Sequence, residues 1–141
     1  MTRARLPAAL LLVASIVAAC APAGGSGGPT SSAASGGRPS SPAVLTITEP
    51  TAGEVVTGDT LHVVVSLKNA TVVKETTTHI VPTEGHVHLY LDGALIYMQY
   101  GLEQDLGVKP GTYTLRAEFV AADHAPFDPR VFSPQIIFTV K

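Results

Sequence analysis

The larger part of the sequence, residues 43–141, predicts an all-β domain made of two antiparallel sheets packed face to face. Apolar residues recur there with a period of two, which is the spacing of a strand with one buried face. Glycine or proline interrupts this alternation at short intervals, and no window sustains the 3.6-residue period of a helix. About seven short strands in roughly 100 residues need a second sheet to cover their apolar faces, so we expect a β-sandwich.

The predicted strands follow one another closely along the chain. In residues 61–67 Leu61 shares one face with Val63 and Val65, and in residues 110–120 the sequence alternates in the same way. Residues 69–83 form a polar, threonine-rich connection, and residues 101–106 form a loop or a short edge strand. The predicted strands cover residues 44–48, 54–56, 61–67, 86–91, 94–100, 110–120 and 131–140.

The hairpin between two of these strands turns at Asp92-Gly93, a dipeptide favoured where both central residues need a positive φ. A two-residue loop at this dipeptide pairs Val87 with Met98 and sends the thioether into the core. A three-residue loop would instead pair His88 with Met98 and set sulfur beside imidazole. The dipeptide favours the first register, so we expect Met98 in the core.

The stretch KPGTYTLRAEF, residues 109–119, resembles the Pro-Gly-x-Tyr-x-Leu strand of many immunoglobulin-like and fibronectin-like domains. This resemblance implies an immunoglobulin-like antiparallel β-sandwich in which Tyr113 packs at a corner, and it implies no activity. The disulfide and the buried tryptophan of antibody domains are absent from the sequence. Stability must therefore come from the apolar core alone.

The N-terminal segment has the features of an export signal. Residues 6–17 form an apolar run that follows Arg3 and Arg5 and is too short to span a bilayer. The run ends in VAAC, which resembles the bacterial lipobox, and that resemblance implies that Cys20 is acylated and becomes the mature N-terminus. Cys20 is the only cysteine and can form no intramolecular disulfide. An ordinary cleavable signal that happens to contain cysteine is the alternative.

The chain is thus predicted to have three parts: a lipoprotein signal peptide at 1–19, the lipidated cysteine and a tether at 20–42, and the folded domain at 43–141. The tether is rich in Gly, Ser and Pro and cannot bury enough apolar surface to fold. We expect an exported protein whose acyl chains, such as palmitate, insert into the cell membrane or the outer membrane. The domain would then face the periplasm or the exterior.

Two histidines lie one residue apart in HVHLYLDG, residues 86–93. Residues two apart in a strand share a face, so His86, His88 and Tyr90 point one way and the aliphatic residues between them point toward the core. The sequence therefore predicts both imidazoles on the solvent side, with Cβ atoms about 7 Å apart. Such a pair can bind one Cu or Zn ion if a further ligand is present.

His124, in AADHAPFDP at residues 121–129, is the candidate third ligand. In an immunoglobulin-like topology the strand that begins near His86 and the strand that ends before His124 are antiparallel neighbours, which would bring these residues together. Alternatively, the His124 ring donates to a backbone carbonyl near Asp123 or Asp128 and only caps its loop. His62 and His79 are expected at ordinary surface positions.

The combination of a His-x-His strand, an Asp-Gly turn and an Asp-His-x-Pro loop is similar to that of small exported bacterial domains of unassigned function. The resemblance covers residues 85–129, and for some such domains it implies metal binding. No Met-rich segment of the kind found in periplasmic copper proteins is present, which favours Cu(II) over Cu(I).

The sequence argues against several other classes of function. It contains no nucleophile elbow, no phosphate-binding glycine loop and no HExxH, so we expect no enzyme. Without Arg3 and Arg5, the nine basic residues become seven against 11 acidic ones, a formal net charge of −4 with neutral histidine. No basic patch indicates a nucleic-acid partner. Besides metal binding, a protein-interaction or structural role is open, with an aromatic surface formed by Tyr90, Tyr97 and Tyr100.

Overall fold

The computed structural model describes residues 37–141. The predicted signal peptide, Cys20 and most of the predicted tether lie outside these residues. Within them, no helix is long and apolar enough to cross a membrane.

Residues 37–141 form ten β-strands, and the predicted all-β fold is confirmed. The expected number of about seven strands was too small. The short edge strand at Thr71–Val72 was missed, the one at Glu103–Gly107 lies where the sequence allowed a loop or a short edge strand, and the last predicted strand is divided in two at residues 133–135. The strands are β1 (Val44–Glu49), β2 (Val55–Val56), β3 (Thr60–Lys68), β4 (Thr71–Val72), β5 (Glu84–Leu91), β6 (Ala94–Gln99), β7 (Glu103–Gly107), β8 (Gly111–Ala121), β9 (Pro126–Phe132) and β10 (Ile136–Val140).

The strands form two sheets that enclose one apolar core. The smaller sheet has the order β1-β3-β7, and the larger has the order β2-β10-β8-β5-β4, with β6 paired to β5 and β9 paired to β8. Alternate residues of the central strands face inward, as their period of two predicts. The fully buried members of the core include Leu61, Val63, Leu89, Leu115, Ala117 and Phe119.

Tyr113 packs at a corner of the sandwich, as expected from the Pro-Gly-x-Tyr-x-Leu pattern. Its hydroxyl donates to the backbone oxygen of Lys109 at 2.9 Å, and its ring stacks on Phe138 with centroids 5.7 Å apart. This side chain joins the loop before β8 to β10, which pairs with β8.

The β5–β6 hairpin has the predicted turn but not the predicted register. Asp92 and Gly93 both have positive φ, at 49° and 80°. A β-bulge between Leu89 and Tyr90 then shifts the pairing, so that His88 lies opposite Met98. The expectation that Met98 enters the core was therefore wrong: a bulge moves every later side chain to the other face, and Met98 is 54% exposed.

Candidate functional site

His86 and His88 lie on the outer face of the larger sheet, where the alternation of β5 places them. They were expected to be exposed, but His86 is 0% and His88 only 4% exposed. The expectation failed because two loops fold over this face. Val73 N donates to Gly85 O at 3.0 Å, and Thr77 N donates to Ala122 O at 3.2 Å, which joins residues 73–77 to the turn after β8.

His124 lies in that turn and reaches both of the other histidines. Its backbone N donates to Ala121 O at 2.9 Å, and its φ of 63° is in the left-handed region. Its ring stacks on His86 with centroids 4.1 Å apart, and its Nδ1 lies 3.2 Å from Nε2 of His88. The structure thus brings together the three histidines singled out in the sequence, which we call the histidine cluster (His86, His88 and His124).

The His124 ring does not cap its loop in the alternative way considered from the sequence. Instead of a backbone carbonyl, its two nitrogens meet side chains: Nδ1 faces His88, and Nε2 lies 3.3 Å from Oγ1 of Thr76. In the His88–His124 hydrogen bond one ring donates and the other accepts, according to their tautomers. Thr76 was not singled out in the sequence, because only the loop packing brings it here.

His86 is a buried polar side chain without a hydrogen bond. Among the described residues, neither its Nδ1 nor its Nε2 has a partner. Backbone groups of Val73 and Glu75 lie close enough to the ring to oppose the lowering of its pKa, but their geometry falls short of a hydrogen bond. Tyr100 packs edge-on against it, with ring centroids 4.9 Å apart. Such an unsatisfied buried group is rare and costs roughly 1–3 kcal/mol, so it needs an explanation.

Burial also controls protonation within the cluster. Desolvation, and then the proximity of His124, lower the pKa of His86 below its ordinary value. The same two causes lower the pKa of His88, although the Glu118 carboxylate opposes them. Both rings are therefore neutral at pH 7 and keep a lone pair available for a Lewis acid.

The rings are close together, yet their donor atoms do not surround one point. Within residues 37–141 no three His, Cys, Asp or Glu side chains have donor atoms positioned to hold a metal ion. The reason is the stack of His86 on His124, whose planes differ by 29°, because nitrogen lone pairs lie in the ring plane and stacked rings direct them side by side.

A buried acidic network adjoins the cluster. Glu118 lies opposite His88 on β8 and is 1% exposed, although its position in the strand predicted a solvent-facing side chain. Its carboxylate accepts hydrogen bonds from Arg130 Nε at 2.6 Å, Arg130 Nη2 at 2.7 Å and the Tyr90 hydroxyl at 2.7 Å. These three bonds compensate the buried charge.

The turn that carries His124 is held from outside by Arg38. The guanidinium donates to both carboxylate oxygens of Asp123, at 2.6 and 2.7 Å, and to the backbone oxygens of Ala125 and Pro126, each at 2.9 Å. The contacts of the folded domain therefore begin before Ala43, within the segment that its composition assigned to the tether.

The three tyrosines proposed as an interaction surface do not lie together. Tyr90 bonds to Glu118, Tyr97 lies opposite Leu89 and packs against the core, and Tyr100 is 43% exposed beside His86. The bulge explains why Tyr97 is not on the face of His88.

His62 and His79 are exposed, as expected, and a 2.7 Å contact with Asp105 raises the pKa of His62.

A cleft of about 300 Å³ opens beside the loop that covers His86. Val73 and Glu75, whose backbones lie near the His86 ring, are among its lining residues. Its other lining residues are Lys74, Thr77 and Glu84.

No protein-family model and no curated protein matches the chain. Among solved structures, fibronectin(III)-like modules of CbhA from Clostridium thermocellum match with a TM-score of 0.51 and 25% identity, covering 70% of this chain and 46% of that one. This chain therefore spans about half the length of that structure. The CARDB domain of a Pyrococcus furiosus protein, in complex with di-metal ions, matches with a TM-score of 0.42 and 16% identity, covering 70% of this chain and 87% of that one.

The two packed sheets and the similarity to the CbhA modules identify the fold class as an immunoglobulin-like, fibronectin(III)-like β-sandwich. A fold class of this kind does not by itself assign an activity.

Proposed function

We propose that this protein is a lipid-anchored, non-catalytic module of the cell envelope that binds one divalent transition metal ion, copper or zinc, through His86, His88 and His124. The observation that carries the proposal is the His86 ring, which is fully buried beside two other imidazoles and, within residues 37–141, has no hydrogen-bond partner for either nitrogen. A metal ion would use this free lone pair and would offset the cost of burying it.

The separation of the other two nitrogens supports the same conclusion. Two imidazole nitrogens bound to one tetrahedral ion, each at about 2.0–2.1 Å, lie about 3.3 Å from each other. The His88 Nε2 to His124 Nδ1 distance is 3.2 Å. The separation therefore suits an ion in place of the shared proton, provided each ring tilts so that its lone pair points to the ion rather than at the facing nitrogen.

His86 would have to turn out of its stack on His124 to bring a nitrogen to the ion. The χ2 torsion of histidine has a broad distribution, so the turn needs no forbidden rotamer. Among the described residues neither nitrogen of His86 has a hydrogen bond to lose, so the turn gives up only the weaker approach of the Val73 and Glu75 backbones.

The anchor and the location rest on the sequence. Cys20 at the end of the apolar leader would carry the lipid, with the domain outside the membrane. Mass spectrometry of the purified chain tests this proposal. We expect the peptide that begins at Cys20 to carry the added mass of acyl chains. A cleaved N-terminus without any added mass would contradict the lipid anchor.

Metal binding is tested with the full chain, purified in detergent without a His tag. Zn(II) and Cu(II) are titrated while the ring signals of the five histidines are followed. We expect one ion per chain and simultaneous shifts at His86, His88 and His124. His79→Ala is the control, because that residue is exposed and outside the cluster.

The variants then locate the site. His88→Ala should abolish stoichiometric binding. His124→Asn should do the same, since asparagine tolerates the left-handed backbone found at this position. Binding that is unchanged in both variants, or ring shifts confined to His62 and His79, would refute the proposal.

A protein partner is the second candidate, and β6 is the observation that favours it. Within the described residues this strand pairs with β5 alone, and four large apolar side chains on or next to it are exposed. An edge strand with such side chains is a common contact surface. The four are Leu95, Ile96, Met98 and Tyr100. If no ring responds to metal, Ile96→Asp should abolish association with envelope proteins, measured by cross-linking in intact cells.

A further inference from the structure

We infer that copper is the metal that this site selects, and that the thioether of Met98 is its fourth ligand. This inference rests on the proposed function of the histidine cluster and adds the identity of the ion. The observation behind it is the register of the β5–β6 hairpin, in which the bulge sets Met98 directly opposite His88.

Directly opposed residues of an antiparallel pair have Cβ atoms about 4.5–5.5 Å apart and project from the same face of the sheet. Met98 therefore lies on the face that carries the histidine cluster. A methionine side chain has three rotatable bonds and adapts readily to its surroundings, so its sulfur can reach an ion held at His88 Nε2.

Met98 is not needed for packing. It is 54% exposed, whereas the core-facing residue of the same strand, Tyr97, is partly buried against the core. A ladder without a bulge would have put Met98 into the core and left the cluster without a sulfur. β-Bulges are frequent next to functional sites, where they redirect a side chain.

Across the sheet, the residues beside His88 differ in chemistry. Glu118, on the β8 side, already accepts three hydrogen bonds from Arg130 and Tyr90. Met98, on the β6 side, lies directly opposite His88 and is 54% exposed. The thioether is thus the donor most available to complete a four-ligand set with three imidazoles.

The donor type determines which metal gains from Met98. Thioether sulfur is a soft ligand that favours copper, most strongly Cu(I), whereas zinc sites use thiolate, imidazole and carboxylate. A set of three imidazoles would bind either ion. Met98 is therefore the residue that would make the affinity of the site for copper higher than its affinity for zinc.

The test compares the full chain with Met98→Leu, a substitution of similar volume at an exposed site. Cu(I) under anaerobic conditions, Cu(II) and Zn(II) are each titrated against a competing chelator. We expect Met98→Leu to weaken Cu(I) binding by about tenfold or more, to weaken Cu(II) binding less, and to leave Zn(II) binding within about twofold. The methyl signal of Met98 should shift when Cu(I) is added. Ile96→Leu, on the same strand, is the matched control.

The outcomes distinguish the role of Met98 from metal binding by the histidine cluster. If the wild type binds copper and Met98→Leu binds it equally well, Met98 is not a ligand, and the proposed function stands alone. If Met98→Leu weakens zinc and copper alike, its effect is structural and copper selection is refuted. If the wild type binds neither metal, the proposed function fails and this inference fails with it.

Discussion

Nε2 of His88 lies 3.2 Å from Nδ1 of His124, although 36 residues separate them in the chain. The contact follows from the antiparallel pairing of β5 with β8, because the turn after β8 folds back over the residues that open β5. His124 adopts a φ of 63° in this turn, a conformation that few residues other than glycine accept. The local backbone and the sheet topology together place the ring.

Three of the histidines should titrate on opposite sides of the ordinary imidazole pKa. Burial lowers the pKa of His86 and His88, while Asp105 raises the pKa of exposed His62. In an NMR titration without metal, the ring signals of His86 and His88 should have midpoints below about 6.5, and that of His62 a midpoint above it. A common midpoint for all three would contradict the burial of the cluster.

The same shifts make folding stability depend on pH. Below about pH 6.5 the unfolded chain binds protons at residues 86 and 88, whereas the folded chain, with its lower pKa values, does not. The contribution of these rings to stability is therefore complete above that pH and is lost as the pH falls toward the folded pKa values. We expect the free energy of unfolding, measured in urea, to decrease from pH 7 to pH 5. His88→Gln should flatten this decrease, because it removes one of the two titrating rings.

The Arg130–Glu118 pair should respond unequally to the loss of either partner. Arg130→Ala leaves a carboxylate that is 1% exposed with the Tyr90 hydroxyl as its remaining donor, and we expect a loss of about 3 kcal/mol. Glu118→Gln leaves a neutral amide and a half-exposed Arg130, and should cost about 1 kcal/mol. Urea unfolding of both variants measures the difference; equal losses would show that the buried charge is not the cause.

Gly85 should tolerate no side chain. A Cβ at this position would overlap the backbone oxygen of Val120 on β8, which cannot move without breaking the pairing. Gly85→Ala should therefore cost about 2–3 kcal/mol and displace the adjacent His86 ring. Gly107→Ala is the control, since nothing lies within 4 Å of its Cβ position and it should change stability by no more than about 0.5 kcal/mol. Unfolding in urea and the His86 ring signals report both effects.

Arg38 should stabilise the turn that carries His124, although 85 residues separate it from its partner Asp123. Arg38→Ala removes a bidentate pair with Asp123 and two bonds to backbone oxygens, and we expect a loss of about 1–2 kcal/mol. Amide hydrogen exchange at His124 and Ala125 should become faster. Arg38→Lys keeps the charge but not the paired geometry, so it should fall between the wild type and Arg38→Ala. Unchanged exchange in both variants would show that the turn is stable without Arg38.

The sequence was sufficient for features that depend on local pattern. The period of two predicted the central strands, and Asp92-Gly93 predicted the turn. The expectation that the strand of His86 and the strand before His124 are antiparallel neighbours correctly placed the two rings together. Each of these follows from the geometry of one strand or one pair of strands.

The features that escaped prediction depend on contacts between distant segments. The burial of His86 results from loops whose irregular backbone has no periodic signal. The bulge that exposes Met98 follows a turn whose own residues fit the simpler register. Arg38 stands in a stretch whose composition is that of a linker, and only the position of Asp123 reveals its partner.

The Arg38–Asp123 pair has a consequence for how an anchored molecule would be arranged. The chain joins the sandwich at the same end as the His124 turn, so the histidine cluster lies where the N-terminal segment begins rather than at the opposite end. An extended chain advances at most about 3.3–3.6 Å per residue, so the 18 residues from Cys20 to Arg38 allow a separation of roughly 60 Å. If the proposed lipid is on Cys20 and the proposed metal site is the histidine cluster, metal capture would be confined to a layer of that depth along the bilayer surface.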